Sequence, residues 1–378
     1  MSRIIDFIKR EVVLVIACVL AVVSAFFVPP DAEYLGYIDF RTLGILFCLM
    51  TVVAGFRGLG VFNLLAQTLL KHVRNVRQLV MLLVLMCFVL SMLITNDVAL
   101  LTFVPFTFVL LEMTGEESER RWLLSAVAMQ TIAANLGSML TPLGNPQNLF
   151  LYGKSGMGLW EFVVLMLPYS AVSLALLLLW WLVKGAKSTA SLSVSFPEPA
   201  RITGQKRLVM YCVLFAVCLL VVLRVIPWWA ALAAVLVSVL IADRKTLAAV
   251  DYSLLITFVG FFVFIGNMGR IPTFRAVLES VVLGNETLTA VIASQAISNV
   301  PAALLLSEFT ADYSALIVGT NLGGLGTLIA SMASLISFKQ LAAKYPERKG
   351  RYMLLFTVSN AAFLAVLLGE YFIIRSFV

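Results

Sequence analysis

Four short polar stretches interrupt the apolar runs of this sequence, and they hold the side chains best suited to bind a small ion. The richest is Thr141-Pro142-Leu143-Gly144-Asn145-Pro146-Gln147-Asn148. Its two prolines break a helical ladder, Gly144 permits close approach, and three amides offer donors and acceptors. A second stretch, Thr327 to Ser334, falls in the other half of the chain and includes Ala330 and Ser331. Two compact turns, Ile94-Thr95-Asn96 and Ile297-Ser298-Asn299, complete the set. Backbone that leaves helical geometry within lipid must be buried in protein or line a polar cavity. Half-helix amino termini there present partial positive charge to anionic groups, while freed carbonyls and side-chain oxygens hold a coupling cation. Asp97, one residue past Asn96, is the only acid of either turn. A carboxylate at that depth must be paired, ion-bound or protonated, which makes it the natural coupling group.

The elements that position these residues are membrane helices. Of 378 residues, 61% are hydrophobic and 12% charged, with mean hydropathy +1.02, so lipid is the solvent for most of the chain. The net charge of +7 sits in short clusters between apolar runs, a pattern of topology and not of nucleic-acid binding. The five cysteines, Cys18, Cys48, Cys87, Cys212 and Cys218, lie within apolar runs without metal-ligand spacing and are expected as small core residues. The amino terminus carries Arg3, Lys9 and Arg10 before an apolar run, but no small-residue cleavage pattern follows, so a first membrane helix is expected.

Segment length separates spans from re-entrant arms. Nine full spans are expected at 11–28, 41–56, 122–152, 160–183, 208–226, 228–242, 251–268, 313–338 and 352–374, with hairpins at 78–113 and 286–311. The second arms of the hairpins, 99–111 and 302–311, extend about 20 and 15 Å as helices, too short to cross comfortably. The positive-inside rule places the amino terminus in the cytoplasm and the carboxyl terminus outside. It leaves only Arg41, Lys154, Arg224, Arg270, Arg275 and Arg375 of the 27 basic residues on the outer face, beside the acidic loop with Asp31, Glu33 and Asp39.

The layout then repeats. Asp39 and Asp251 open matched spans, each followed by an amphipathic stretch, a hairpin, and Asn135-Leu136-Gly137-Ser138 or Asn321-Leu322-Gly323-Gly324 before a helix-breaking stretch. The first copy begins outside and the second inside, giving two inverted repeats. Residues 1–207 form the first repeat with an amino-terminal helix and cytoplasmic linker, and 208–378 form a linker helix and the second repeat. The expected fold is an all-α polytopic membrane protein with re-entrant hairpins and broken helices.

Ile94 to Pro105, Asn135 to Ser138 and Thr141 to Asn145 resemble the ion transporter superfamily, whose members include arsenite permeases, sodium/proton antiporters, citrate permeases and divalent-anion/sodium symporters. The resemblance runs from about Asp39 to Ile374. It implies a scaffold region that forms a homodimer and a transport region moving as an elevator. It further implies a sodium site at Asn96, Asp97 and Gly144, with Thr95 and Asn145 beside it, and a counterpart at Ser298, Asn299 and Ala330, with Ser331. The candidate site also takes in Asn135, Thr141, Asn148, Asn321, Thr327 and Ser334. The tips depart from the Ser-Asn-Thr of dicarboxylate symporters, and Asn96-Asp97 with Ala99 and Pro105 is closer to the arsenite-permease version.

No metal-ligand histidine cluster, nucleophile-base pair or phosphate-binding glycine loop points to an enzyme. A channel usually shapes its pore by parallel symmetry, whereas hairpins entering from both sides suit alternating access. The expectation is an ion-coupled secondary transporter of a small anion or oxyanion in the inner membrane, with sodium or proton as coupling ion and no cofactor or nucleic-acid partner. Cation/proton antiport and arsenite-type efflux are the alternatives. No Lys or Arg falls at the supposed site, which favours recognition by helix ends. Glu308 is a lesser second acid, His72 a solvated residue, Arg57 and Arg270 snorkelling cations, and Trp160, Trp180, Trp181, Trp228 and Trp229 an interfacial belt.

Overall fold

The computed structural model describes residues 11–71, 73–185, 202 and 204–377; Arg3, Lys9, Arg10, His72, Lys187 and Arg201 lie outside them. The described chain is helical: α1 (Val12–Phe27), α2 (Tyr34–Tyr37), α3 (Phe40–Gly58), α4 (Val61–Leu70), α5 (Val76–Leu90), α6 (Asn96–Met113), α7 (Glu116–Ser138), α8 (Pro146–Ser155) and α9 (Leu159–Gly185). It continues through α10 (Gln205–Val222), α11 (Trp228–Ala242), α12 (Tyr252–Gly269), α13 (Pro272–Val282), α14 (Glu286–Ile297), α15 (Asn299–Leu306), α16 (Tyr313–Leu322), α17 (Met332–Lys344) and α18 (Lys349–Phe377).

Six to seven spans among the described residues are long and apolar enough to cross a membrane. Five of the expected spans appear as such helices: α3, α9, α10, α12 and α18. The expected spans 122–152 and 313–338 are each broken, at 139–145 and 323–331, where the polar stretches lie. The expected spans 11–28 and 228–242 become helices of 16 and 15 residues, short of the roughly 20 a bilayer asks for.

The second arm of the first hairpin differs from expectation. Helix α6 starts at the turn itself and runs 18 residues, so length alone marks it as a span. Asn96 and Asp97 do not delay it, because Asn and Asp suit a helix's first turn. Pro105 lies inside the helix without ending it. The second arm of the other hairpin, α15, has only 8 residues.

Two compact units interleave along the chain. The first comprises Met1–Leu59, Gly204–Glu286 and Ala303–Tyr313. In it Asp39 and Asp251 cap α3 and α12 with matched geometry, φ/ψ of −79°/85° and −80°/84°, each accepting a backbone N–H three residues on, from Thr42 and Leu254 at 3.0 Å. Helix α12 lies along α1, where Gly260 brings its backbone against Ala17. Arg270 departs from snorkelling. It donates to Asp31 Oδ2 at 2.7 Å and to Tyr37 at 3.0 Å, with Glu33 at 3.4 Å, because the acidic loop after α1 folds back over the end of α12.

The second unit comprises Gly60–Thr203, Thr287–Ala302 and Ser314–Val378. Its centre is α7, buried nearly all round from Trp122 to Ser138 and packed by α5, α6 and α17. Small residues, Ala126, Ala128, Ala133, Ala134 and Gly137, let that many neighbours approach. Trp181 is held by its indole N–H on the Arg77 carbonyl and by the Arg77 guanidinium 4.1 Å from its ring, so it does more than fill a belt. Cys48, Cys87 and Cys218 are buried as expected, but Cys18 and Cys212 occupy exposed helix faces.

Candidate functional site

All fourteen candidate residues fall within the second unit. The two hairpin turns are fixed by the same bond. Asn96 N–H donates to the Gly144 carbonyl at 3.0 Å, and Asn299 N–H donates to the Ala330 carbonyl at 2.9 Å. Each turn is therefore pinned to the break that follows it in sequence. The carbonyls of Gly144 and Ala330 spend one lone pair on these bonds and keep a second.

A constant offset relates the two breaks: the spacing from Asn135 to Asn321 also separates Gly137 from Gly323, Thr141 from Thr327, Gly144 from Ala330, Asn145 from Ser331 and Asn148 from Ser334. The bonds across them are exchanged. Asn145 Nδ2 donates to Asn321 Oδ1 at 3.2 Å, while Ser331 Oγ donates to Asn135 Oδ1 at 3.0 Å. Asn321 Nδ2 donates to Asn148 Oδ1 at 2.6 Å, and Asn135 Nδ2 points to Ser334 Oγ at 3.5 Å. Each broken helix thus supplies the asparagine that holds the other's loop. Asn96 joins the cluster through its Nδ2, which donates to Asn135 Oδ1 at 3.0 Å.

Several candidates repair the breaks. Asn145 caps α8 by accepting Asn148 N–H at 3.0 Å, and its Nδ2 also reaches Ser138 Oγ at 3.1 Å. Asn148 Nδ2 reaches the Ser138, Met139 and Thr141 carbonyls at 3.4, 3.5 and 3.4 Å. Thr141 Oγ1 donates to the Met92 carbonyl, tying the loop to the first hairpin. Thr327 does the equivalent on the second, its Oγ1 donating to the Gln295 carbonyl at 3.4 Å.

The two turns differ in strain. Thr95 is extended at φ −66°, ψ 152°, whereas Ser298 has φ 74°, a left-handed conformation uncommon for a residue with a side chain. The Ser298 hydroxyl is buried without a partner. Asp97 is half-buried, with its backbone N–H donating to Asn96 Oδ1 at 2.9 Å, so Asn96 links the acid's backbone to the amide cluster. Glu308 is exposed. Close approach carries the assembly: a Cβ on Gly137 would lie 2.0 Å from the Phe88 carbonyl oxygen, and one on Gly144 would lie 2.1 Å from that of Ser138.

Sequence reasoning missed three residues. Ser138 stands in the quoted Asn135 motif and anchors Asn145. Gln295 donates to the Val291, Gly323 and Leu325 carbonyls at 3.2, 3.0 and 2.9 Å and accepts Thr327 N–H at 2.9 Å; an amide three residues before a turn, in an otherwise apolar arm, was its signal. Gln147, in the first turn of α8 just after the first break, is buried with both amide atoms unpartnered. Among the described residues no group of three or more His, Cys, Asp or Glu is placed to hold a metal ion.

Comparison with known proteins finds membrane transporters. The profile of a family described as citrate transporter matches residues 2–313. The inner membrane protein YbiR of Escherichia coli is 32% identical over 321 residues, covering 83% of this chain and 84% of that one. An uncharacterized transporter of Methanocaldococcus jannaschii is 30% identical, covering 89% and 90%. A silicon efflux transporter of rice (Oryza sativa subsp. japonica) is 32% identical over 132 residues, covering 35% of this chain and 26% of that protein.

Proposed function

The chain belongs to the citrate transporter family, and from that premise we propose that it is an ion-coupled secondary active transporter of a small anion or oxyanion. Its place as an integral membrane transporter follows from the family and from its apolar helices. The finer reading rests chiefly on the exchanged hydrogen bonds, Asn145 to Asn321 and Ser331 to Asn135, which tie two broken helices into one neutral, buried cluster. Such a cluster holds backbone outside helical geometry, which a membrane protein tolerates where it is buried in protein or lines a polar cavity, and breaks of this kind form the substrate and ion sites of inverted-repeat transporters.

In this reading the two repeats are inverted, and the second unit carries substrate as an elevator while the first forms the dimer scaffold. The amino terminus faces the cytoplasm of the inner membrane. Sodium or a proton binds at the first turn, through Asn96, Asp97 and the remaining lone pair of Gly144. The second turn offers the matching set at Ser298, Asn299 and Ala330. Asp97 sets the coupling, because occupation of its carboxylate changes the local charge by one unit. The amides and helix ends around Asn145 and Ser331 meet the anion without an ion-paired clamp.

Replacing Asp97 by Asn keeps shape and removes the charge. In liposomes, gradient-driven accumulation of citrate fails in Asp97→Asn while exchange of citrate across the membrane persists. Accumulation with unchanged ion dependence refutes the coupling role and leaves Asp97 as a residue of the helix's first turn.

A further inference from the structure

Among the amides of the broken loops, Gln147 stands apart. Asn96, Asn135, Asn145, Asn148 and Asn321 all engage partners, and Gln295 engages four. Gln147 is 1% exposed, and neither its Nε2 nor its Oε1 has a partner. A buried amide in that state carries its full desolvation cost with nothing in return, so it needs an explanation. The architecture does not demand it, because the offset that pairs Asn148 with Ser334 pairs Gln147 with Ala333, a fully buried alanine. The same position thus closes without a polar group in one break and carries an amide in the other. Gln147 also sits in the first turn of α8, a helix of 10 residues that begins Pro146, so the partial positive charge of a helix start lies beside it.

We propose that Gln147 is a ligand-contacting residue that recognises a weak oxyacid through an O–H and an adjacent oxygen. An amide presents one donor and one acceptor side by side. A protonated carboxyl, or any oxyacid retaining a hydroxyl next to an oxygen, answers both: Nε2–H donates to the oxygen and Oε1 accepts from the O–H. A fully ionised carboxylate or sulfate has no O–H and leaves Oε1 facing negative charge. The ligand form selected is therefore the one that has kept a proton.

This inference rests on the transporter reading and is tested so that the two can fail separately. Binding of citrate, silicic acid and sulfate to the purified protein in detergent is measured by calorimetry, with citrate at a pH that leaves one carboxyl protonated and at one that ionises all three, and uptake of the bound probes is measured in liposomes. Wild type binds protonated citrate or silicic acid and prefers them to ionised citrate and sulfate. Gln147→Leu weakens that binding about 10- to 100-fold, as loss of two hydrogen bonds predicts. It folds with equal or greater thermal stability, since an unpaired buried amide has been removed, and its response to sodium is unchanged. Gln147→Met serves the same test should Gln147→Leu not fold. Wild-type affinity in a folded variant, or a preference for sulfate and ionised citrate, overturns the inference alone. Absence of uptake of every probe by wild type overturns the transporter reading and this inference with it.

Discussion

Asn135 is the side chain on which the two breaks converge, so its removal tests whether their exchange of hydrogen bonds holds the second unit together. Its Oδ1 accepts Asn96 Nδ2 and Ser331 Oγ, both at 3.0 Å, and its Nδ2 makes two long contacts, to the Gly324 carbonyl and Ser334 Oγ, each at 3.5 Å. The long pair contributes little. Asn135→Ala leaves two buried donors without acceptors, and at ~1–3 kcal/mol for each the fold loses about 2–6 kcal/mol. The lower end is expected, because the Ser331 hydroxyl can rotate while the Asn96 amide is held by the Asp97 N–H on its Oδ1. Ser331→Ala alone removes one bond and costs about 0.5–1.5 kcal/mol. The two residues touch, so the double variant is less destabilised than the sum, by at least about 0.5 kcal/mol. Thermal unfolding of the four proteins in one detergent, followed by tryptophan fluorescence, measures all three quantities. A loss below about 1 kcal/mol for Asn135→Ala, together with strict additivity, refutes the view that these bonds join the breaks.

Two further outcomes follow from the geometry. Gly137→Ala places a methyl 2.0 Å from the Phe88 carbonyl oxygen, a backbone atom that cannot swing aside. Overpacking of about 1–3 kcal/mol follows, with loss of uptake because the first hairpin shifts, and wild-type unfolding and uptake contradict the close packing of α7 on α5. In the first unit, the Arg270 hydrogen bond holds the Asp31 carboxyl below its ordinary 3.8. A lowered carboxyl contributes stability that is full above the unfolded value and is lost as pH falls through the folded one. The stability gap between wild type and Asp31→Asn therefore holds down to that ordinary value and closes only below it. A gap that closes at higher pH shows the pair is not formed.

The polar interruptions were legible in the sequence because lipid makes every unpaired polar group conspicuous. Thr95-Asn96, Ser298-Asn299 and the breaks at 139–145 and 323–331 stand where apolar periodicity fails. The match of Asn135-Leu136-Gly137 with Asn321-Leu322-Gly323 was legible in the same way. What the sequence does not carry is which partner each amide takes. Asn145 meets Asn321 and Ser331 meets Asn135 across a separation that only tertiary packing closes. Gln147 and Gln295 are one residue type, yet Gln295 is fully engaged and Gln147 unpartnered. The length of α6 escaped because Asn96 and Asp97 look like turn residues, whereas both are accepted in the first helical turn. Arg270 looked like a snorkelling cation because its partners, Asp31 and Glu33, are remote in sequence.

The most direct test of the transporter reading is flux through the purified protein alone. Reconstituted in liposomes, it is offered radiolabelled citrate and a panel of smaller oxyanions under an imposed sodium gradient, an imposed proton gradient, both and neither. At least one oxyanion accumulates above its external concentration when one gradient is present, and collapsing this gradient abolishes the accumulation. Substrate that only equilibrates, at a rate indifferent to both gradients, would contradict coupled transport and assign the two breaks to a passive pore.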